Sequence, residues 1–504
     1  MSKKKASILN LIFNYSNVVF LILNGLVLIP IYLKYISVST YGSFLASGNI
    51  VSMIGLLDGG MSYVLTQKLS NSYSQKAPSD FNKILTSGLL ITIFISLVVI
   101  LLSLTVLPFI SDIVKIEPEQ KYNIKICFIL SAISACISIF YNNISAIFQS
   151  ALQVQYTGYS NLFSIIISLF AILLGLYYGL GIVSIALGYF IKSLSSCTLL
   201  LFFLKKVLRD DFEFKYNLDR KNLLSLVKTS LPMFGGSVSK SLINNSQLLI
   251  INIFISPSAA AIYFITARVF QVCDSFLAPI SSAIFSSISH IYSSEQKDKI
   301  KFIISNVFVI FSCFSILIIS IGFILNETFI TLLVGSDKFG GSLLTLLLAI
   351  STFFYSRFSF ISVNLFAIGI FGKTTMFDIL SGVIRLTLIF TLIGKIGVVI
   401  LPIAEIFSAL FVSGVFLNKL IVNKLMFDRK ETISFIFSGI KPIILILLIN
   451  SLVVHFCQWS ITWPGFIFEA TSLTIGYIII LFLATIEVRR FVIPYLRKFK
   501  ILAI

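Results

Sequence analysis

Charge is what this chain has least of. Asp, Glu, Lys and Arg make up 12% of its 504 residues, about half the share of a soluble globular protein. Histidine occurs only as His290 and His455, which form no catalytic or metal constellation. The six cysteines are dispersed without ligand-like spacing, so neither a zinc site nor a disulfide framework is expected. No GxxxxGK[ST] loop is present, which argues against ATP hydrolysis by this chain. The longest polar connections are 66–83, 205–226, 108–123 and 326–341. Each falls far below the ~50 residues of a small domain, so no soluble catalytic domain is expected. The chain reads as a non-enzyme with no cofactor and no metal.

What it has in abundance is apolar sequence, 57% of the residues. Fourteen runs approach the ~20 residues a helix needs to cross a bilayer. They lie near 12–34, 41–65, 84–107, 124–148, 158–178, 180–204, 227–254, 259–289, 302–325, 342–368, 375–394, 396–418, 433–456 and 465–487, with tight turns near Gly179 and Lys395. The runs lack the period of two that a barrel wall requires, so helices are expected. The first run extends past Met1-Ser2-Lys3-Lys4-Lys5 without a small-residue cleavage site and reads as a retained helix.

The net charge of +18 is scattered in short clusters between these runs, which is a membrane-orientation pattern and not a nucleic-acid footprint. One side carries Lys3 to Lys5, Lys68, Lys76, Lys83, the cluster Lys205 to Lys228, Lys297 to Lys301, Lys373, Lys419 to Lys430 and Arg489 to Lys500. The other has only Lys34, Lys115, Lys121, Lys338 and Lys395. The bias places both termini in the cytoplasm. Trp459 and Trp463 suit an interface anchor at the last external turn.

A shift of 222 residues lays Tyr41 over Tyr263 and the second run over the eighth. Helices one to six and seven to twelve each follow a basic stretch and alternate in the same sense. An even number of spans per half relates two such lobes by an axis along the membrane normal. The expected organisation is an N-terminal lobe at 1–204, a cytoplasmic linker at 205–226 and a C-terminal lobe at 227–422. Two additional helices at 433–487 and a basic tail at 488–504 complete it.

Five bases fall near the middle of their runs: Lys192, Lys240, Arg268, Arg357 and Arg385. A charge there costs about 2.5–3.5 kcal/mol on insertion scales and generally faces a protein interior or a wet cavity. Four acids, Asp58, Asp274, Asp378 and Glu405, are candidates for charge pairing or for proton or sodium coupling. Arg268 and Asp274 stand six apart on different helix faces, whereas Asp378 and Arg385 stand seven apart on one face. Structural pairing between helices is the bland alternative for each base. Together they outnumber the acids at that depth, so the surplus predicts an anion-favouring chamber, with arginine forks matched to phosphate oxygens.

Three segments resemble one family. They are Tyr41-Gly42 through Gly55-Leu56-Leu57-Asp58-Gly59-Gly60; Leu231-Pro232 with Tyr263-Phe264-Ile265-Thr266-Ala267-Arg268; and the stretch ending Gly394-Lys395-Ile396-Gly397. With the six-plus-six body, the chain resembles, over about residues 8–425, the bacterial polysaccharide-export and O-antigen flippases. These belong to the multidrug/oligosaccharidyl-lipid/polysaccharide (MOP) exporter superfamily. The resemblance implies an all-α, MATE-like two-lobe bundle in the bacterial inner membrane. Its implied cargo is an undecaprenyl-diphosphate-linked oligosaccharide, an O-antigen or capsule repeat unit, moved to the outer leaflet by alternating access. Glycan polymerases and glycosyltransferases are the implied partners. A flippase for lipid II or a teichoic-acid precursor, an ion-coupled multidrug exporter and a non-transporting scaffold are the competing readings.

Overall fold

The computed structural model describes residues 13, 28–55, 61–74, 77–151, 153–211, 217, 219–293, 297–368, 370–437, 446, 461–484 and 489. All regular structure among them is helical. The chain divides into two compact units, Met1–Ala261 and Ile262–Ile504.

Unit 1 contains α1 (Leu28–Tyr35), α2 (Val38–Gly55), α3 (Met61–Ser74), α4 (Pro78–Val106) and α5 (Ile110–Ile113). It continues with α6 (Lys121–Ser150), α7 (Val154–Tyr177), α8 (Ile182–Asp211), α9 (Arg220–Phe254) and the first turn of α10 (Pro257–Ser293). In α4, Pro78 opens the helix and Asp80 stands in the first turn, which suits the missing proline N–H and the positive end of the helix dipole. Its 29 residues span roughly 43 Å at 1.5 Å per residue, more than a ~30 Å hydrocarbon core.

The two faces of α4 are sorted for lipid. Phe94, Leu97, Leu101 and Leu104 are exposed, while Thr92, Ser96 and Ser103 are buried. Small and weakly polar residues inside let membrane helices approach closely and bond across. Thus Asn143 Nδ2 on α6 donates to Thr92 Oγ1 at 2.8 Å. The α7–α8 pair is built the same way: Ser160 Oγ donates to the Ser196 carbonyl (2.6 Å) and Ser168 Oγ to that of Gly188 (2.8 Å). Their connection turns at Gly179 and Gly181, with φ of +77° and +53°, a backbone region that glycine enters without penalty. The tightest approach is at Gly42 on α2, where a Cβ would sit 1.8 Å from the Pro257 carbonyl oxygen. Beside it, Ser43 Oγ donates to the Val114 carbonyl at 2.9 Å and Lys115 Nζ donates to that of Ile253.

Unit 2 holds the rest of α10, then α11 (Lys297–Val334), α12 (Ser342–Ala367), α13 (Phe371–Ile396) and α14 (Ile400–Ser408). A π-helical segment at Ala409–Ser413 leads into α15 (Gly414–Leu425); α16 (Arg429–Ile436) and α17 (Trp463–Ala484) follow. Phe308, Phe311 and Phe360 form an aromatic centre between α11 and α12, with ring centroids 4.8 Å apart for Phe311–Phe360. Cys313, Ile316, Leu317, Leu473, Tyr477 and Leu481 join α11 to α17 in a single apolar cluster.

The expected count of fourteen spans is corrected. Among the described residues nine helical stretches are long and apolar enough to cross a membrane. The expected spans 12–34 and 433–456 fall largely outside the described residues. Run 41–65 yields the 18-residue α2, diluted by buried Thr40, Ser43 and Ser47, and then α3. Run 227–254 lies on the continuous helix α9, Arg220–Phe254; the side chains of 229–244 are outside the described residues, and the described remainder is a short apolar stretch, Asn245–Phe254. Runs 375–394 and 396–418 lie on the two arms of one helical stretch, Gly372–Leu425, with the turn expected near Lys395 between them. That stretch turns back at Gly397 (φ +72°), so α13 packs against α14.

Candidate functional site

The mid-span bases have different surroundings. Lys192 is the eleventh residue of the Ile182–Leu204 span. It is half-buried on α8, beside the Ser138–Ser193 hydroxyl pair (3.1 Å), and its ammonium has no ion-pair or hydrogen-bond partner among the described residues. No Asp or Glu stands in the middle of any described membrane-length helix of unit 1. Lys240 lies on α9, its side chain outside the described residues.

Arg268 is half-buried on α10. Its Nη1 donates to Gln271 Oε1 at 3.0 Å, and its guanidinium carbon stands 5.7 Å from the Phe264 ring centroid. Arg357 on α12 is buried. Nη1 donates to Ser312 Oγ on α11 (2.9 Å), Nη2 donates to the Ile436 carbonyl on α16 (2.8 Å), and the guanidinium lies 4.3 Å over the Phe308 ring. Arg385 on α13 is buried and pairs with Glu405 on α14, Nη1 to Oε1 at 3.0 Å, while its Nε has no hydrogen-bond partner among the described residues. The Tyr263 phenol on α10 lies in the electrostatic field of both charges.

Of the four acids, Glu405 is thus paired, and Asp274 and Asp378 are half-buried on α10 and α13. Asp58 lies outside the described residues. The structure therefore brings together two of the expected residues, Arg385 and Glu405, across the Gly397 turn. An uninterrupted helix would hold them roughly 30 Å apart.

Sequence reasoning missed the partners of Arg357, because Ser312 is one serine among many and Ile436 contributes only a carbonyl. It also missed a polar joint in unit 2. There Asn326, fully buried, donates to the Thr266 carbonyl (3.2 Å) and to Thr345 Oγ1 (3.3 Å), while the Gly340 N–H donates to Thr266 Oγ1 (3.0 Å). Among the described residues no group of three or more His, Cys, Asp or Glu is placed to hold a metal.

Solved structures share this fold. A lipid II flippase, MurJ, in its inward closed conformation is similar with a TM-score of 0.65 and 14% identity, covering 95% of this chain and 99% of that one. An inward-facing multidrug resistance MATE family transporter of the MOP superfamily aligns with a TM-score of 0.62 and 14% identity, over 76% and 92%. A crystal structure of MATE in complex with MaL6 gives 0.56 and 13%, over 81% and 96%. No curated protein matches the chain by sequence. The class is therefore a polytopic, all-α, MATE-like fold. Within it the chain belongs to the family described as polysaccharide biosynthesis protein, whose model matches residues 8–292.

Proposed function

We propose that this protein is a flippase that carries a lipid-diphosphate-linked glycan precursor across the bacterial inner membrane, acting by transport and not by catalysis. The observation that carries the reading is Lys192: a half-buried ammonium at mid-span, without a partner among the described residues, in a unit whose described helices offer no acid at that depth. A cation in such a place is normally retained for function, and a passing diphosphate would neutralise it. Arg268, half-buried on α10, and Lys240 on α9 are the next candidates for headgroup contact, with Arg357 and Arg385 more deeply engaged with protein. The full-length likeness to a lipid II flippase favours a lipid II-type or teichoic-acid-type precursor over an O-antigen or capsule unit. The MATE likeness supports proton or sodium coupling, for which Asp274, Asp378 and Glu405 are the described candidates.

The test is reconstitution in vesicles with a fluorescent polyprenyl-diphosphate disaccharide, scoring leaflet exchange with and without an imposed proton or sodium gradient. Lys192→Ala, at matched protein levels, is expected to slow exchange at least tenfold. Unchanged exchange in Lys192→Ala would refute the headgroup role. Transport of a cationic dye in place of the diphosphate lipid would favour the multidrug reading.

A further inference from the structure

We infer that Arg357 is a positioning residue and not a cargo ligand: it terminates α16 and ties that helix to α11 and α12. The inference rests on the flippase reading only where rates are concerned.

The geometry of α16 is that of a short helix fixed at both ends. At its N-terminus, Asp428 and Glu431 form a capping box: the Glu431 N–H donates to Asp428 Oδ1 (2.7 Å) and the Asp428 N–H to Glu431 Oε2 (2.7 Å). This reciprocal arrangement satisfies two donors that a helix start leaves open. Lys301 on α11 pairs with Glu431 and sits 5.0 Å from the Phe427 ring centroid, so the cap is also bound to the neighbouring helix.

The C-terminal end has the opposite need. A helix leaves its last carbonyls unsatisfied and carries partial negative charge there, so a cation is favoured. Arg357, itself buried, fills that role. Arg357 Nη2 takes the Ile436 carbonyl while Nη1 takes Ser312 Oγ, which is fully buried. Beneath the guanidinium, Phe308 stacks on Phe435 of α16 with centroids 4.7 Å apart. Lys301 and Ser312 are eleven residues apart on α11, roughly 16 Å, and the eight residues of α16 cover about 12 Å of that length. The two cations therefore bracket α16 against α11. Cys313, next to Ser312, belongs to the apolar cluster that holds α17. Adjacent faces of α11 thus carry the two C-terminal elements, and Arg357 makes the polar part of the α16 attachment.

A fork with two separate acceptors is not replaceable by a point charge, which provides the test. Full-length protein is prepared with Arg357→Lys, Arg357→Ala and Ser312→Ala. Deuterium uptake over 429–437 is followed together with leaflet exchange of the fluorescent polyprenyl-diphosphate disaccharide at varied concentration. Uptake over 429–437 is expected to quicken at least tenfold in Arg357→Ala and nearly as much in Arg357→Lys. Ser312→Ala, which alters no charge, is expected to produce a smaller increase of about threefold. The maximal exchange rate falls in the Arg357 variants while the half-saturating disaccharide concentration stays within twofold. Full restoration of both protection and rate by lysine would overturn the inference, as would unchanged uptake in Ser312→Ala and Arg357→Ala with a raised half-saturating concentration. The uptake measurement involves no cargo, so it decides the role of Arg357 even if the protein carries something else.

Discussion

The Arg385–Glu405 pair offers a sharp measurement of how charge is accommodated inside unit 2. Only 7% of the Arg385 side chain and 20% of the Glu405 side chain are exposed, at a separation of 3.0 Å. Removing one partner leaves the other charge buried without compensation, a loss of about 3–5 kcal/mol, whereas replacing both with apolar groups of similar volume is often neutral or favourable. The unsatisfied Arg385 Nε adds to the cost of keeping the pair, so the doubly apolar variant should lose little. For a body of the size of unit 2, 1 kcal/mol corresponds to about 2–4 °C, so each single variant should melt about 6–20 °C lower. Four proteins are compared in detergent: wild type, Arg385→Met, Glu405→Leu and the double variant, each heated and then scored for the folded fraction by size exclusion. The double variant is expected within about 3 °C of wild type. A double variant that loses the sum of the two single effects would show that the charges do not interact, and would refute the reasoning.

Two further outcomes follow from local geometry. Gly42→Ala drives a methyl group into a backbone carbonyl 1.8 Å away and is expected to cost about 3 kcal/mol or more. Gly88→Ala meets only the flexible end of Leu65, at 2.7 Å, and should cost less; equal melting shifts for the two would rule out the backbone explanation. The Glu431 carboxyl is held below the usual carboxylate range by Lys301 first and by the Asp428 N–H second. A depressed folded-state value means that its contribution is complete above the ordinary value of about 4.3 and is lost as pH falls through the lower folded value. The difference in α16 protection between wild type and Glu431→Gln, followed by deuterium uptake, should therefore be constant from pH 7 to about 5 and shrink below about 4. A difference that grows on acidification would contradict the assignment.

Hydrophobic runs revealed most of the helices, because lipid-facing helices must be apolar over their full length. The same criterion failed at α2, where Thr40, Ser43 and Ser47 are buried against protein and local composition no longer marks depth. The turn expected near Lys395 is found at Gly397, where the two runs fold back on each other. Arg385 and Glu405 were both noticed for their depth, yet their pairing was not read. Spacing along one helix relates Arg385 only to Asp378, seven residues away on the same face. Twelve residues before the turn and eight after it place the true partners at comparable height, a relation visible once Gly397 is taken as the pivot. The environment of Arg357 lay beyond any such rule, because one of its acceptors is a carbonyl 79 residues along the chain and every residue has a carbonyl.

The π-helical segment at Ala409–Ser413 gives the rod from Ile400 to Leu425 one residue more than a regular helix would accommodate. Each residue advances a helix by about 100°, so the surplus re-aims everything beyond it without breaking the rod. Glu405 upstream is directed to Arg385, while Phe416 downstream meets Phe377, with centroids 4.5 Å apart. Gly414, immediately after the segment, is where the Phe358 ring edge comes close. Insertion or loss of a single amino acid here would change which neighbours the second half of the rod addresses while leaving the first half untouched, an inexpensive route by which related chains could diversify the lining of a common scaffold.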